Sequence, residues 1–467
     1  MSAWRTKLLA FALVLMPLFG LVPKYILIHN VLAGQVVGQT GFGFGDYTDS
    51  LLHSGEFRSC VRPPFKFCQP DRCLYATRMP VIPLLYNGLA RLLGTASVTI
   101  DFAKCLLTAA LLAGLLAVLV RDARPSLLGV VLLYAVYFGP QALKHGAAIE
   151  YEEGLLVDLE LCLAIALAYL LRPELAVTHS RRVVMGLIAL AIAVLMYFIK
   201  TTALLMLLVV AGLFLMRARA GWRANLAASV LVIAPFAAWG AHTAATSGTV
   251  HLSSSWNGEN LFRGYNSDSA AIYPEIDLDR IFDARRAVLD DGTIVPLGDY
   301  AEQQQCFVDE WAWNQSYSRR ALVWLEGHPL EAVRFNLRKM WIALVEIRHT
   351  PYRVPAIEHD YEYPRNVVIA MLAWMILMRA ASFFLVFRLV FELAGAGRAA
   401  ALWILALLGA GFAPYTLVFA YQRHIVPLLV MAGGLLVTRY FMAPRRAARN
   451  PLSSQGRASH SLYMSVT

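Results

Sequence analysis

"VVMGLIALAIAVLMYFI" runs from Val183 to Ile199, and "TTALLMLLVVAGLFLM" runs from Thr201 to Met216, with Lys200 alone between them. No charged residue interrupts either run. A helix needs about 20 predominantly apolar residues to cross a bilayer, so the pair reads as two membrane helices joined with almost no loop. Other stretches are predominantly apolar as well: Leu8–Ile28, Thr99–Val120, Leu127–Leu143, Gly154–Leu171, Asn225–Thr243, Asn366–Val390, Ala399–Phe419 and His424–Met442. Together they give about ten candidate spans. Val81–Leu93 is apolar but short and holds Pro83 and Arg91, which suits a helix along the membrane surface.

Composition agrees. The chain has 467 residues, of which 58% are hydrophobic and only 15% charged. Soluble domains have about 45–50% apolar and about 25% charged residues, so the expected class is an all-α polytopic membrane protein. Arg5 and Lys7 precede the first apolar run, which could pass for a secretory signal. The run is long, carries Pro17 and Pro23, and lacks a clean small-x-small cleavage site, so it reads as a retained first span.

Basic residues outnumber acidic ones, 41 to 31. With the N-terminus inside, Arg121, Arg124, Arg172, Arg181, Arg182, Arg217, Arg219, Arg223, Arg398, Arg445, Arg446 and Arg449 all fall on one side, as the positive-inside rule requires. The surplus is then mainly a topology signal, and no pattern of alternating basic and aromatic residues suggests nucleic acid. The domain reading follows: residues 1–243 form an N-terminal membrane region with a first outer loop at 32–98, residues 244–365 a smaller extracytoplasmic α or α/β domain, residues 366–443 the last spans, and residues 444–467 a basic, disordered tail. Cys60, Cys68, Cys73 and Cys306 lie in the two outer segments. That favours two disulfides in an oxidising compartment over a zinc site, and leaves the pairing open.

The outer face gathers the chemistry. "GDYTDSLLHSGEF" (Gly45–Phe57) carries Asp46 and Asp49, spaced so that a helix would turn both to one face. Arg78 opens a Pro-rich stretch, Glu152 and Glu153 open a span, Lys200 closes one, and "YQRHIVP" puts Tyr421, Arg423 and His424 at the start of the last. Each has a plainer reading. The aspartates suit a solvated turn, the glutamates a span flank, Lys200 and Arg423 a snorkelling contact, and His424 a structural hydrogen bond. In Tyr317–Leu344, Arg334, Arg338 and Lys339 recur among Phe335, Leu337, Trp341 and Ile342, as in a helix lying at the lipid interface. The Trp-rich "EWAWNQS" from Glu310 fits an interfacial belt better than a sugar platform.

As a layout, these features resemble the polytopic glycosyltransferases of the GT-C fold, which use a polyprenyl-phosphate sugar as donor and include the protein O-mannosyltransferases and lipid A aminoarabinose transferases. Asp46 and Gly55 match the acid and glycine of that family's first outer loop. Arg78, Pro80, Pro83 and Leu84 match its "R-x-P-x-x-P-L" stretch. "NGENLFRGYNSDSA" from Asn257 and "EGHPLEAVRFNLRKM" from Glu326 resemble its outer-loop segments, and Arg423 its late basic residue. The family's acidic Asp-Glu pair is replaced by Asp46-Tyr47-Thr48-Asp49, so both aspartates stand as candidate bases, Asp46 first.

The resemblance implies transfer of a sugar from a polyprenyl-phosphate donor to a hydroxyl of a glycan, lipid or protein acceptor, with inversion. A carboxylate would take the acceptor proton, and Lys200, Arg423 and Arg78 would hold the donor phosphate. Glu152, Glu153, Tyr421 and His424 would contact donor or acceptor. A divalent metal is only weakly indicated, because two acids without clustered ligands make a poor site. The Ala-, Leu- and Arg-rich usage points to a bacterial inner membrane, with the site on the periplasmic face. The alternatives are a flippase or transporter of lipid-linked sugars, which would show inverted repeats and broken helices, and a polymerase or ligase of the O-antigen type. No clear repeat is present.

Overall fold

The computed structural model describes residues 3–37, 44–60, 68, 73–141, 152–175, 178–273, 286–288, 293–301, 306–345, 353–355, 360–362, 365–418 and 422–444. The predicted tail beyond Pro444, and Tyr421, lie outside them. Within the described residues the protein is mostly helical. The helices are α1 (Ala3–Leu32), α2 (Phe44–His53), α3 (Val81–Leu93), α4 (Ser97–Asp122), α5 (Leu127–Gln141), α6 (Glu152–Leu171), α7 (His179–Ile199), α8 (Leu204–Arg217), α9 (Trp222–Ser247), α10 (Asn257–Gly264), α11 (Ser267–Ile272), α12 (Gly298–Ala301), α13 (Glu310–Gly327), α14 (Pro329–Leu344), α15 (Arg365–Glu392), α16 (Arg398–Leu417) and α17 (Gln422–Tyr440). Three two-stranded antiparallel ladders complete it: β1 (Ala123–Pro125) with β6 (Met442–Pro444), β2 (Arg286–Val288) with β3 (Ile294–Pro296), and β4 (Arg353–Pro355) with β5 (Asp360–Glu362).

Among the described residues, seven helices are long and apolar enough to cross a membrane: α1, α4, α6, α7, α9, α15 and α16. This is the build of an integral membrane protein. The other three runs expected as spans, Leu127–Leu143, Thr201–Met216 and His424–Met442, are apolar helices of shorter described length. The two runs parted by Lys200 separate as their spacing predicts. Lys200 ends α7 in an extended conformation, and a 3-10 turn over Thr201–Ala203 leads into α8. Val81–Leu93 is a helix over its full predicted range.

Apart from Asp158 and Glu160, helix α6 is apolar on every side from Gly154 onward, and a helix that is hydrophobic all round belongs at the centre of a bundle. It is buried from Gly154 to Leu171 and packs against α4, α7 and α17, while α1 packs against α4 and α5. At the arginine-rich end, β1 pairs with β6 and so ties the end of α4 to the end of α17. There Arg172 Nη1 donates to the carbonyls of Thr438 (2.5 Å) and Met442 (2.8 Å), and Arg181 pairs with Asp122.

The opposite, loop-rich end carries a second core. Tyr47 and Leu74 of the first long segment pack with Phe262, Tyr265, Tyr273, Trp313, Tyr317 and Phe335 of the second. The two segments therefore form one body. Gly258 lets α10 cross α13 closely, since a Cβ there would lie 2.0 Å from the Asn314 carbonyl oxygen. The cysteines pair as Cys60–Cys73 and Cys68–Cys306, the second bond joining the two segments.

Candidate functional site

The candidate base sits on α2. Asp46 is half-buried, and Ser59 Oγ donates a hydrogen bond to its Oδ2 at 3.3 Å. Burial raises its carboxyl above the ordinary carboxylate range. The Ser59 hydroxyl and the nearby Arg78 oppose that rise, and Asp49 adds to it. Both aspartates lie on the one helix, but their settings differ. Asp49 is exposed and its carboxylate pairs with His53 Nδ1 at 3.2 Å. A partly desolvated carboxyl with a raised pKa is a better proton acceptor than an exposed one, and of the two aspartates Asp46 has that setting.

Arg78 stands beside it in an unusual setting. Its guanidinium lies 5.0 Å over the Phe44 ring and 4.7 Å over the Trp256 ring. Its Nε is buried without a hydrogen-bond partner among the described residues. Cation–π contacts hold such a group in place without neutralising it. The segment leading into Arg78 is tied at every residue. Glu310 accepts from the amides of Tyr75 (3.0 Å) and Ala76 (3.1 Å) and from Ser255 Oγ (2.9 Å). Burial raises the Glu310 carboxyl, and these three bonds offset part of the effect. The Thr77 amide donates to Tyr47 Oη, and Ser254 Oγ donates to the Thr77 carbonyl.

Lys200 and Glu152, from the facing ends of α7 and α6, form an ion pair of 3.2 Å with both side chains largely buried. Next to Lys200, Thr201 Oγ1 donates to Asn257 Oδ1 at 3.0 Å, which reaches the residue after Trp256. Thr202 Oγ1 and Tyr415 Oη lie 3.3 Å apart, and the Tyr415 ring stacks on that of His424 with centroids 5.1 Å apart. A chain of contacts therefore connects Asp46, Arg78, Trp256, Asn257, Thr201, Lys200, Glu152, Tyr415 and His424 across the loop-rich end. Glu153 lies on α6 and Arg423 on α17, with side chains outside the described residues, as is Tyr421 entirely.

Sequence reasoning did not reach Phe44, Ser59, Trp256 or Glu310 as partners of the site. Their roles depend on contacts between segments far apart in the chain, and none lies in a spacing that would betray it. Among the described residues no group of three or more His, Cys, Asp or Glu side chains is placed to hold a metal ion.

Chemically, the arrangement offers a carboxylate with a raised pKa near a guanidinium that is in no ion pair among the described residues, framed by two aromatic rings and by amide and hydroxyl groups, at one end of a membrane bundle. It can accept a proton and bind an anion side by side. Comparison with family models, with curated proteins and with solved structures returns no match in any of the three.

Proposed function

We propose that the protein is a membrane glycosyltransferase of the GT-C type, moving a sugar from a polyprenyl-phosphate donor to an acceptor hydroxyl at its loop-rich, extracytoplasmic end. The observation that carries this reading is a half-buried Asp46 within the electrostatic reach of Arg78, a guanidinium caged by Phe44 and Trp256 and in no ion pair among the described residues. In the proposed reaction Asp46 takes the proton of the acceptor hydroxyl as its oxygen attacks the anomeric carbon. The bond from that carbon to the phosphate oxygen breaks, and the configuration inverts. Charge grows on the leaving phosphate, and Arg78 stabilises it where water is scarce. Lys200 contributes on the far side once the phosphate competes with Glu152 for its ammonium.

The test is release of free polyprenyl phosphate from labelled lipid-linked sugars by the purified protein, with a membrane extract as acceptor. Loss of a general base costs about 100- to 10,000-fold in rate, and Asp46→Asn should fall in that range with its fold intact. Full release by Asp46→Asn, with loss in Asp49→Asn, would reassign the base.

One observation favours a second reading, a transporter of lipid-linked sugars. Lys24 of α1 and Asp158 of α6 form a buried ion pair of 2.6 Å inside the bundle, and ionisable residues within spans often mark transport paths.

A further inference from the structure

The hydroxyl that holds Asp46 is itself fixed by covalent chemistry. Ser59 exchanges two backbone hydrogen bonds with Leu74, amide to carbonyl at 2.8 Å in each direction. The flanking residues of that bridge are Cys60 and Cys73, joined as a disulfide. From Cys73 the chain passes through the run clamped by Glu310, Tyr47, Ser254 and Ser255 and ends at Arg78. One short, closed frame therefore sets the positions of both the carboxyl and the guanidinium. Among the described residues Ser59 is the only hydrogen-bond partner of the Asp46 side chain, which leaves Oδ1 open to receive a proton. The second disulfide leaves the same segment at Cys68 and ties it to Cys306, and the Cys68 amide donates to the Phe307 carbonyl at 3.0 Å, but neither bond touches the Ser59–Leu74 bridge.

We propose that Ser59, locked in place by the Cys60–Cys73 disulfide, is the positioning residue of Asp46, so that the site assembles only after that bond has formed. The inference rests on reading Asp46 as the base, but Ser59's hold on Asp46 can be measured without any turnover. A disulfide restricts the chain it closes. Opening it removes the covalent link beside the Ser59–Leu74 bridge, and the Ser59 hydroxyl loses its fixed direction towards Oδ2. The carboxylate then loses the donor that favours its charged form.

The experiment titrates Asp46 directly. The intact protein in detergent is labelled with a water-soluble carbodiimide and an amine across a pH series. The ratio of label at Asp46 to label at Asp49 is read by peptide mass spectrometry, so that reagent effects cancel. The midpoint should move up in Ser59→Ala, stay in place in Ser59→Thr, move up in the Cys60→Ala/Cys73→Ala double variant, and stay in place in Cys68→Ala/Cys306→Ala. To separate the effect from any folding defect of the cysteine variants, wild type is also treated with dithiothreitol. The dithiol passes two electrons and two protons to the disulfide, giving two thiols, and closes into its own cyclic disulfide. The midpoint should rise on reduction, return on reoxidation, and fail to respond in the Cys60→Ala/Cys73→Ala protein. Where lipid-phosphate release is measured, Ser59→Ala should lower it about tenfold, the worth of one hydrogen bond to a charged group. An unmoved midpoint after confirmed reduction of Cys60–Cys73, or equal shifts from both disulfide variants, would overturn the proposal. A shifted midpoint with no transfer from any donor would uphold the positioning and sink the transferase instead.

Discussion

Arg78 and Lys200 carry the same formal charge in opposite settings. Lys200 faces Glu152 at 3.2 Å, so a phosphate arriving there must displace a carboxylate. Arg78 lies between two rings, with a buried Nε that no described residue satisfies. A planar guanidinium stacks on aromatic faces and offers a fork to phosphate, whereas an ammonium does neither. Arg78→Lys keeps the charge but loses the fork and the stack, and a hydrogen bond to a charged group is worth about 1.5–3 kcal/mol. That variant should therefore raise the donor KM about 10- to 100-fold in the lipid-phosphate release assay. A donor KM unchanged in Arg78→Lys but raised in Lys200→Met would move the phosphate site to the span end. The sequence offered Arg78 as the third of three candidate cations, behind Lys200 and Arg423. Its lead could not be read there, because Phe44 and Trp256, which hold it, come from different segments.

Helix α14 shows what the scale of an element adds. By spacing, Arg334, Arg338 and Lys339 read as the basic residues of a helix lying at the lipid interface. The structure divides them. Arg334 and Arg338 lie on the exposed side beside Leu330, Val333, Leu337 and Trp341, as an interfacial helix requires. Lys339 turns the other way and is fully buried. Its ammonium donates to the carbonyls of Gly264 (3.1 Å) and Val418 (2.9 Å) and lies over the rings of Tyr265 and Phe335. It thus fastens α14 to α10 and to the end of α16, with no carboxylate paired to it among the described residues. Burial lowers its pKa to about 7 from the ordinary 10.5. Below about pH 7 the lysine is protonated in both states, and the full cost of burying the charge weighs on the fold. As pH rises towards the ordinary value the folded state releases its proton first, and that cost is relieved. Thermal unfolding in detergent should show a midpoint that climbs from pH 7 towards pH 10, with no such climb in Lys339→Met beyond what other groups contribute. Parallel slopes for the two proteins would show that Lys339 is not the titrating group. The spans themselves were legible because lipid accepts little but apolar helix. The loop-rich body was not, because its aromatic core joins distant segments without a periodic pattern.

At the scale of the whole molecule, charge enters the bundle inside runs that average as apolar. Lys24 and Asp158 are 1% and 2% exposed, and Thr108 Oγ1 also donates to Asp158 at 2.6 Å, so α1, α4 and α6 meet at one polar point. One turn nearer the loop-rich end, Lys104 pairs with Asp101 and donates to Tyr86 Oη, joining α4 to α3. Each charge lies in or near a run that averages as apolar, and the partners are far apart in sequence, so only the folded bundle reveals them. The candidate site was more open to sequence, since its acids and bases stand at span ends where any charge draws notice. The buried pair bears directly on whether this molecule transfers or transports. A staple and a path respond differently to the same substitutions. Lys24→Met alone strands a buried carboxylate and should cost about 3–5 kcal/mol. Lys24→Met with Asp158→Leu removes both charges, and replacing a buried pair with apolar side chains is often neutral or stabilising by about 1–4 kcal/mol. If the pair is a staple, the double variant should recover wild-type thermal stability and full release of lipid phosphate, while the single variant falls short in stability. If the pair is a transport path, the double variant should fold as well as wild type yet lose scrambling of lipid-linked sugar in reconstituted vesicles, which wild type would then perform. Recovered stability with recovered turnover would leave the bundle as a scaffold and put the chemistry at its loop-rich end, where Arg78 acts on Asp46.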